Sequence, residues 1–390
     1  MIRETVIVDA VRTPIGRKGG SLADVRADHL MAHVLNQLAV RNEFEPGLVD
    51  DVILGCVTQV GEQCGNIART GLLSAGWSDS VPGMTVDRKC GASEAAIHMA
   101  VGQIAAGACD VVVAGGAENM SRVPMGGNRD VHGQLYGWRL AERFELVAQG
   151  ESAERIADRW GLDRRAMDEF ALASHRRAAA AADDGRFDHE IVPVPVHEWR
   201  ETQGAEPMTL AIDETIRRDT SLDKLATLKG SFRPDSGRIT AGNASQICDG
   251  AAGLLLMSAD YAKVHGYKAR ARIRAITTVG SDPTMMLTGP IAATRRILQR
   301  AGMSLADIDL FEVNEAFACV PMAWMRELSV AHERLNVNGG AIALGHPLGG
   351  SGARIMTTLL HELERRDATL GLQSICCAGG MATATIIERL

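Results

Sequence analysis

No run of apolar residues in this 390-residue chain approaches the ~18–20 needed to cross a bilayer, so a helical membrane span is not expected. Positive charge is in deficit. Against 48 Asp and Glu there are only 41 Lys and Arg, giving a net charge of −7 and a pI near 5.9. Non-specific nucleic-acid binding depends on a concentrated positive field, so nucleic-acid partners are not expected. Zinc spacing is missing as well: the eight cysteines (Cys56, Cys64, Cys90, Cys109, Cys248, Cys319, Cys376 and Cys377) include no C-x-x-C pair and no Cys/His cluster. No metal is expected. In a reducing cytosol such cysteines are mostly buried thiols that pack as small hydrophobes, and a functional role for any of them has to overcome that reading. The chain enters an apolar strand at Thr5-Val-Ile-Val-Asp9 and ends in Glu-Arg-Leu, which leaves no room for a leader and gives no receptor-read address. A cytoplasmic protein is expected.

Hydrophobic content of 46% with 23% charged residues is that of an ordinary globular protein with a substantial core. Strand-like and helix-like segments alternate at both ends of the chain, which reads as α/β. The first series runs through Val6–Ala10, a helix around His29–Val40, Asp51–Cys56, a helix around Asn66–Ala75, Gly83–Val86, a helix over Cys90–Ala106, and Asp110–Ala114. The second runs through Arg270–Val279, a helix around Ile291–Ala301, Ile308–Val313, a helix from Ala316, Arg334–Asn336, a helix after His346, and Leu372–Cys376. Asp110-Val-Val-Val-Ala-Gly-Gly116 resembles Ser374-Ile-Cys-Cys-Ala-Gly-Gly380, and each closes its series. Such a repeat implies two βαβαβ-type halves whose corresponding junctions lie side by side. From Glu118 to Ile247 the rhythm is lost, which reads as an inserted loop domain over the site.

The junctions carry the chemistry. Asn336-Val-Asn-Gly-Gly-Ala-Ile-Ala-Leu-Gly-His346-Pro-Leu-Gly-Gly-Ser-Gly352 surrounds one histidine with six glycines. Glycine lets a ligand approach the backbone closely, and Pro347 fits the first turn of the helix that follows. Cys90 lies where a strand passes into an Ala-rich helix, and a helix N-terminus with Arg88 and Lys89 beside it favours thiolate. Cys376 ends a short strand before a tight glycine turn, with Cys377 competing for any role given to it. Asn314, after Asp309–Val313, lies where α/β sheets place ligands, or else caps a helix. Arg217 and Arg218 are either a phosphate contact or a solvated charge pair, and Met286 is either a substrate contact or core packing.

Taken together, these blocks resemble the thiolases, the CoA-dependent acyltransferases. The resemblance runs from Asp9-Ala-Val-Arg-Thr-Pro-Ile-Gly16 through Ala117-Glu-Asn-Met-Ser121, Thr240-Ala-Gly-Asn-Ala-Ser245 and Asn314–Ala318 to the last glycine turn. It implies an α/β fold of duplicated βαβαβαββ halves packed as α/β/α/β/α layers. Residues 1–268 would form one half, including the insertion at about 118–247, and residues 269–390 the other. It assigns Cys90 as nucleophile, His346 as its base, Cys376 as a second acid/base and Asn314 as the holder of a water. One oxyanion site would join that water to His346, and another would use the backbone N–H groups of Cys90 and Ala378. Arg217 and Ser245 would contact CoA, with Met286, Leu287 and Phe317 around the acyl group. CoA and acyl-CoA enter as substrates, with no bound cofactor, and a homo-oligomer, dimer or tetramer, is implied.

Asp87, Ala92 and Glu94 depart from the family pattern around the nucleophile, as do Ala148 and Gln149 farther on. With Val86–Gly91 similar to bacterial thiolases of steroid side chains, they imply a medium, long or bulky acyl substrate in β-oxidation. The alternatives are an acetyl-CoA C-acetyltransferase, a decarboxylating ketoacyl synthase, and a non-catalytic acyl-CoA-binding subunit.

Overall fold

In the computed structural model, which describes residues 3–390 except Asp130, Gln203 and Ala205, the apolar segments join into one mixed sheet. Its main strands are β1 (Thr5–Arg12), β2 (Asp51–Gly55), β3 (Gly83–Val86), β4 (Val111–Asn119), β5 (Cys248–Ser258), β6 (Ala271–Gly280), β7 (Leu310–Val313), β8 (Leu370–Cys377) and β9 (Met381–Arg389). Across the sheet they run β7-β8-β9-β6-β1-β5-β4-β2-β3. Two register pairs, Val6 with Arg272 and Ile7 with Ala271, join β1 to β6 at the centre. Outward from there both sides repeat one plan, antiparallel inner pairs followed by parallel outer ones.

The repeat is complete except at one edge. The stretch read as a strand at Arg334–Asn336 forms a 3₁₀ turn over His332–Arg334 and then a single parallel bridge from Leu335 to Phe311. Asn336, at φ 47°, cannot continue a strand. Its side-chain amide does the pairing instead, accepting from Val313 N at 2.9 Å and donating to Val313 O at 2.9 Å.

Helices α1 (Ala27–Asn42) and α2 (Ile67–Ser74) cover the outer face of the first half. Helices α6 (Gly289–Ala301) and α7 (Cys319–Leu328) cover that of the second. Between the halves lie α3 (Ala92–Ala106) and α8 (Ser351–Arg366), whose Ala96, Ile97, Met356 and Leu360 share one core with both. The layering is therefore α/β/α/β/α. Strand β1 is buried along its whole length because Val6 and Val8 face α1 while Ile7 and Ala10 face the central helices.

The equivalent hairpins β4–β5 and β8–β9 differ in their connections. Residues 120–247 separate the first pair and include α4 (Gln149–Arg159) and α5 (Arg164–Asp183), whereas Ala378–Gly380 alone join the second. The sequence likeness between the two ends is out of step with this geometry. Gly115 and Gly116 lie inside β4 opposite Gly253 and Ala252, while Gly379 and Gly380 form a turn at φ 88° and 79°.

Candidate active site

The glycines around His346 serve a purpose that the sequence reading missed. A Cβ on Gly349 would lie 2.5 Å from Ala117 O and 2.6 Å from Gly55 O, so the loop packs backbone to backbone on the ends of β2 and β4. Gly345, Gly349, Gly350 and Gly352 thus interlock with the first half of the chain. Pro347 opens a turn, closed by Gly350 N to Pro347 O at 2.9 Å, and α8 begins only at Ser351.

The loop fixes the imidazole chemically. Ser351 Oγ donates to Pro347 O at 2.8 Å, so it accepts from His346 Nδ1–H at 2.5 Å. Nε2 is left as the unprotonated nitrogen, facing Asn314 Nδ2 at 3.3 Å. Burial, and then the Arg354 charge, holds the His346 pKa down to about 3. The imidazole is neutral, with Nε2 free to accept a proton.

Asn314 is buried, and its Oδ1 has no protein partner. Since α7 starts at Cys319 with Ala318 as its N-cap residue, Asn314 does not cap it. Its neighbour Glu315 acts as a post for the histidine loop. Glu315 accepts from Asn336 Nδ2 at 2.9 Å, Ser174 Oγ at 2.7 Å and Ile342 N at 3.1 Å.

Cys90 sits one residue before Gly91, the N-cap of α3. Burial pushes its thiol up to about 11, against the N–H groups of Cys90 and Ala378 and the Gln149 side chain, which favour its ionised form. Lys89, expected to add positive charge, instead pairs with Asp87. The resting form is therefore a thiol, contrary to the thiolate that a helix N-terminus alone would favour. Gln149 was not foreseen as a sulfur contact; its signal was its departure from the family block.

The alternation of β8 separates the two competing cysteines. Cys376 faces a cluster with Met286, Leu287, Phe317 and Ala378, and its ionisation is opposed first by burial and next by Cys90. The Cys377 sulfur packs behind the nucleophile loop, 2.7 Å from where a Cβ on Gly91 would lie.

Cys90 and His346 line one cavity of about 170 Å³ with Ser245, Phe317 and Phe232. Met286 is buried in the adjoining cluster and does not line it. Arg217 is exposed and lines neither this cavity nor the second one beside Cys90. Its neighbour Arg218 pairs with Asp183 at 2.8 Å.

Two buried carboxylates, given no role in the sequence reading, support the site. Glu118 accepts from Val57 N, Thr58 N and Gly349 N at 3.0, 2.9 and 2.9 Å, tying the loop after β2 to the histidine loop. Glu94, in the first turn of α3, accepts from Thr383 and Thr385 hydroxyls at 2.5 and 2.6 Å. Burial raises its pKa to about 7. A raised acid stabilises the fold fully below its unfolded value of 4.5, and that contribution is lost as pH rises through about 7. Glu94→Gln should therefore gain about 3 kcal/mol over the parent at pH 8 and almost nothing at pH 4.5, read from urea midpoints.

Family models match in two parts, the thiolase N-terminal domain over residues 5–260 and the thiolase C-terminal domain over residues 267–389. The chain is 44% identical to a steroid 3-ketoacyl-CoA thiolase, FadA6, of Mycobacterium tuberculosis over 100% of its own length and 95% of the relative. A 3-ketoacyl-CoA thiolase of Aeromonas hydrophila is also 44% identical, over 100% of both chains. Among solved structures, an acetyl-CoA acetyltransferase of Bacillus anthracis superposes with a TM-score of 0.91 at 40% identity, covering 100% of this chain and 99% of that one. The protein belongs to the thiolase family, a family of acyltransferases.

Proposed function

We propose that the protein cleaves a 3-ketoacyl-CoA with CoA, giving acetyl-CoA and a shortened acyl-CoA, in lipid or steroid side-chain β-oxidation. The observation that carries this reading is the cavity shared by Cys90 and the neutral His346, with Cys376 packed alongside. His346 Nε2 takes the Cys90 proton as the sulfur attacks the keto carbon. The bond between the α-carbon and that carbon then breaks, leaving an acyl-Cys90 thioester, and the departing acetyl-CoA carbanion takes a proton from Cys376. CoA next gives its thiol proton to the Cys376 thiolate and attacks the thioester. Acyl-CoA leaves, and Cys90 recovers its proton from His346. N–H groups of Cys90 and Ala378 serve one developing oxyanion, and His346 with a water on Asn314 serves the other. Ser245 and Arg217 are proposed CoA contacts, and Phe317 and Met286 border the reacting centre.

Under a division after residue 268, Cys90 belongs to the N-terminal half and its partners to the C-terminal one. No helix among the described residues is long and apolar enough to cross a membrane. A cytoplasmic homo-oligomer, dimer or tetramer, without a bound cofactor, completes the proposal.

The test reads the nucleophile and the second acid/base separately. The parent should take an acetyl group from acetyl-CoA onto Cys90, detected by mass spectrometry of the peptide. Cys376→Ala should lower thiolysis about 10³-fold and slow that acetylation, because the departing CoA thiolate needs the same proton. Absence of the adduct in the parent protein would favour the non-catalytic reading.

A further inference from the structure

Two cavities open onto Cys90, and one of them has no histidine. The first runs past His346, Ser245, Gln246, Phe232 and Phe317. The second, of about 200 Å³, lies between Val57, Met125, Leu135, Tyr136, Leu348 and Gly379. A nucleophile that exchanges a thioester needs two branches, one for the pantetheine arm and one for the acyl group. Ser245, proposed above as a CoA contact, lines the first branch, which leaves the second for the acyl group. Its outer wall suits an apolar body: Met125, Leu135 and Tyr136 remain 50%, 47% and 39% exposed until something covers them.

Asn128 and the exposed Arg129 also line this branch, whose described residues include two cations, Lys89 and Arg129, and no carboxylate. Lys89 is already neutralised by Asp87, whereas Arg129 has no ion pair among the described residues. Consecutive turns hold the Arg129 backbone in place, Gly127 N to Pro124 O and Arg129 N to Gly126 O, both at 2.8 Å.

Resting on the thiolase reading above, we infer that the second cavity takes the acyl group and that Arg129 pairs with a carboxylate on the end of that group. The substrate class is then an ω-carboxylated 3-ketoacyl-CoA. Two probes of equal chain length, 3-oxooctanoyl-CoA and 3-oxooctanedioyl-CoA, differ only in a terminal methyl or carboxylate. The carboxylate probe should be preferred about tenfold in kcat/KM, and Arg129→Ala should remove that preference. The same variant should leave the methyl-ended probe within about twofold and the KM for CoA unchanged, and Arg129→Lys should restore part of the preference. A preference for the methyl-ended probe would overturn the inference, as would an equal loss on both probes or a raised KM for CoA. Acetoacetyl-CoA cleavage by each variant reports an intact site. If the parent cleaves none of the three thioesters, the thiolase reading itself fails, and this inference with it.

Discussion

Cys90→Ala should lower kcat/KM for thiolysis by about 10⁶-fold, to the level that binding and oxyanion donors alone support. The size follows from the chemistry assigned to the sulfur. Both half-reactions pass through a bond to Cys90, so no part of the cycle survives its loss. The pKa of about 11 sharpens the expectation. At pH 7.5 that leaves about one thiol in 10³–10⁴ ionised, so the proposed cycle starts from the thiol and passes its proton to His346 as the new bond forms. Alkylation of the resting enzyme by iodoacetamide should therefore rise about tenfold per pH unit from 6.5 to 9.5. A plateau near pH 7 would show that the helix N-terminus overcomes burial and that Cys90 rests as thiolate. A Cys90→Ala variant retaining even a hundredth of the parent activity would remove Cys90 as nucleophile.

The parts of this site that were legible in the sequence are those whose signals are local. His346, Cys90, Cys376 and Asn314 each sit in a short block at a strand or helix end, and the structure brings the blocks together. What the sequence hid depends on contacts across long separations. Glu118 ties together loops 61 and 231 residues away, and nothing beside it in the chain marks it as a buried anchor. The glycines near His346 were visible, but the packing of Gly345, Gly349, Gly350 and Gly352 was not, because the surfaces they press on belong to the other half. Asn336 looked like a strand end; its side chain replaces the strand's backbone. Burial also decided electrostatics that adjacency could not: Lys89 follows Asp87 closely enough to be neutralised by it, leaving the thiol to desolvation.

His346→Asn should lower thiolysis about 10⁴-fold, the upper range for removal of a positioned base. Asn is preferred to Ala for this test because an amide retains a polar contact for Ser351 Oγ. The two substitutions should lose activity alike if the imidazole acts as a base. A large loss with Ala that Asn restores would mean that His346 only holds the loop. The pH dependence gives an independent reading. With its pKa held near 3, the imidazole stays neutral across the working range, so kcat/KM should show no acid limb near pH 6.5. Stability moves oppositely to that of Glu94. A histidine whose folded pKa is depressed below 6.5 leaves the unfolded chain to take the proton, so its contribution is lost as pH falls through 6.5 toward 3. His346→Asn should accordingly be less acid-sensitive than the parent between pH 6.5 and 4.5, by urea midpoints. An acid limb at pH 6.5 that disappears in His346→Asn would mean that the histidine titrates in the working enzyme. The proton taken from Cys90 would then compete with solvent protons for Nε2, and the cycle would slow as the pH fell.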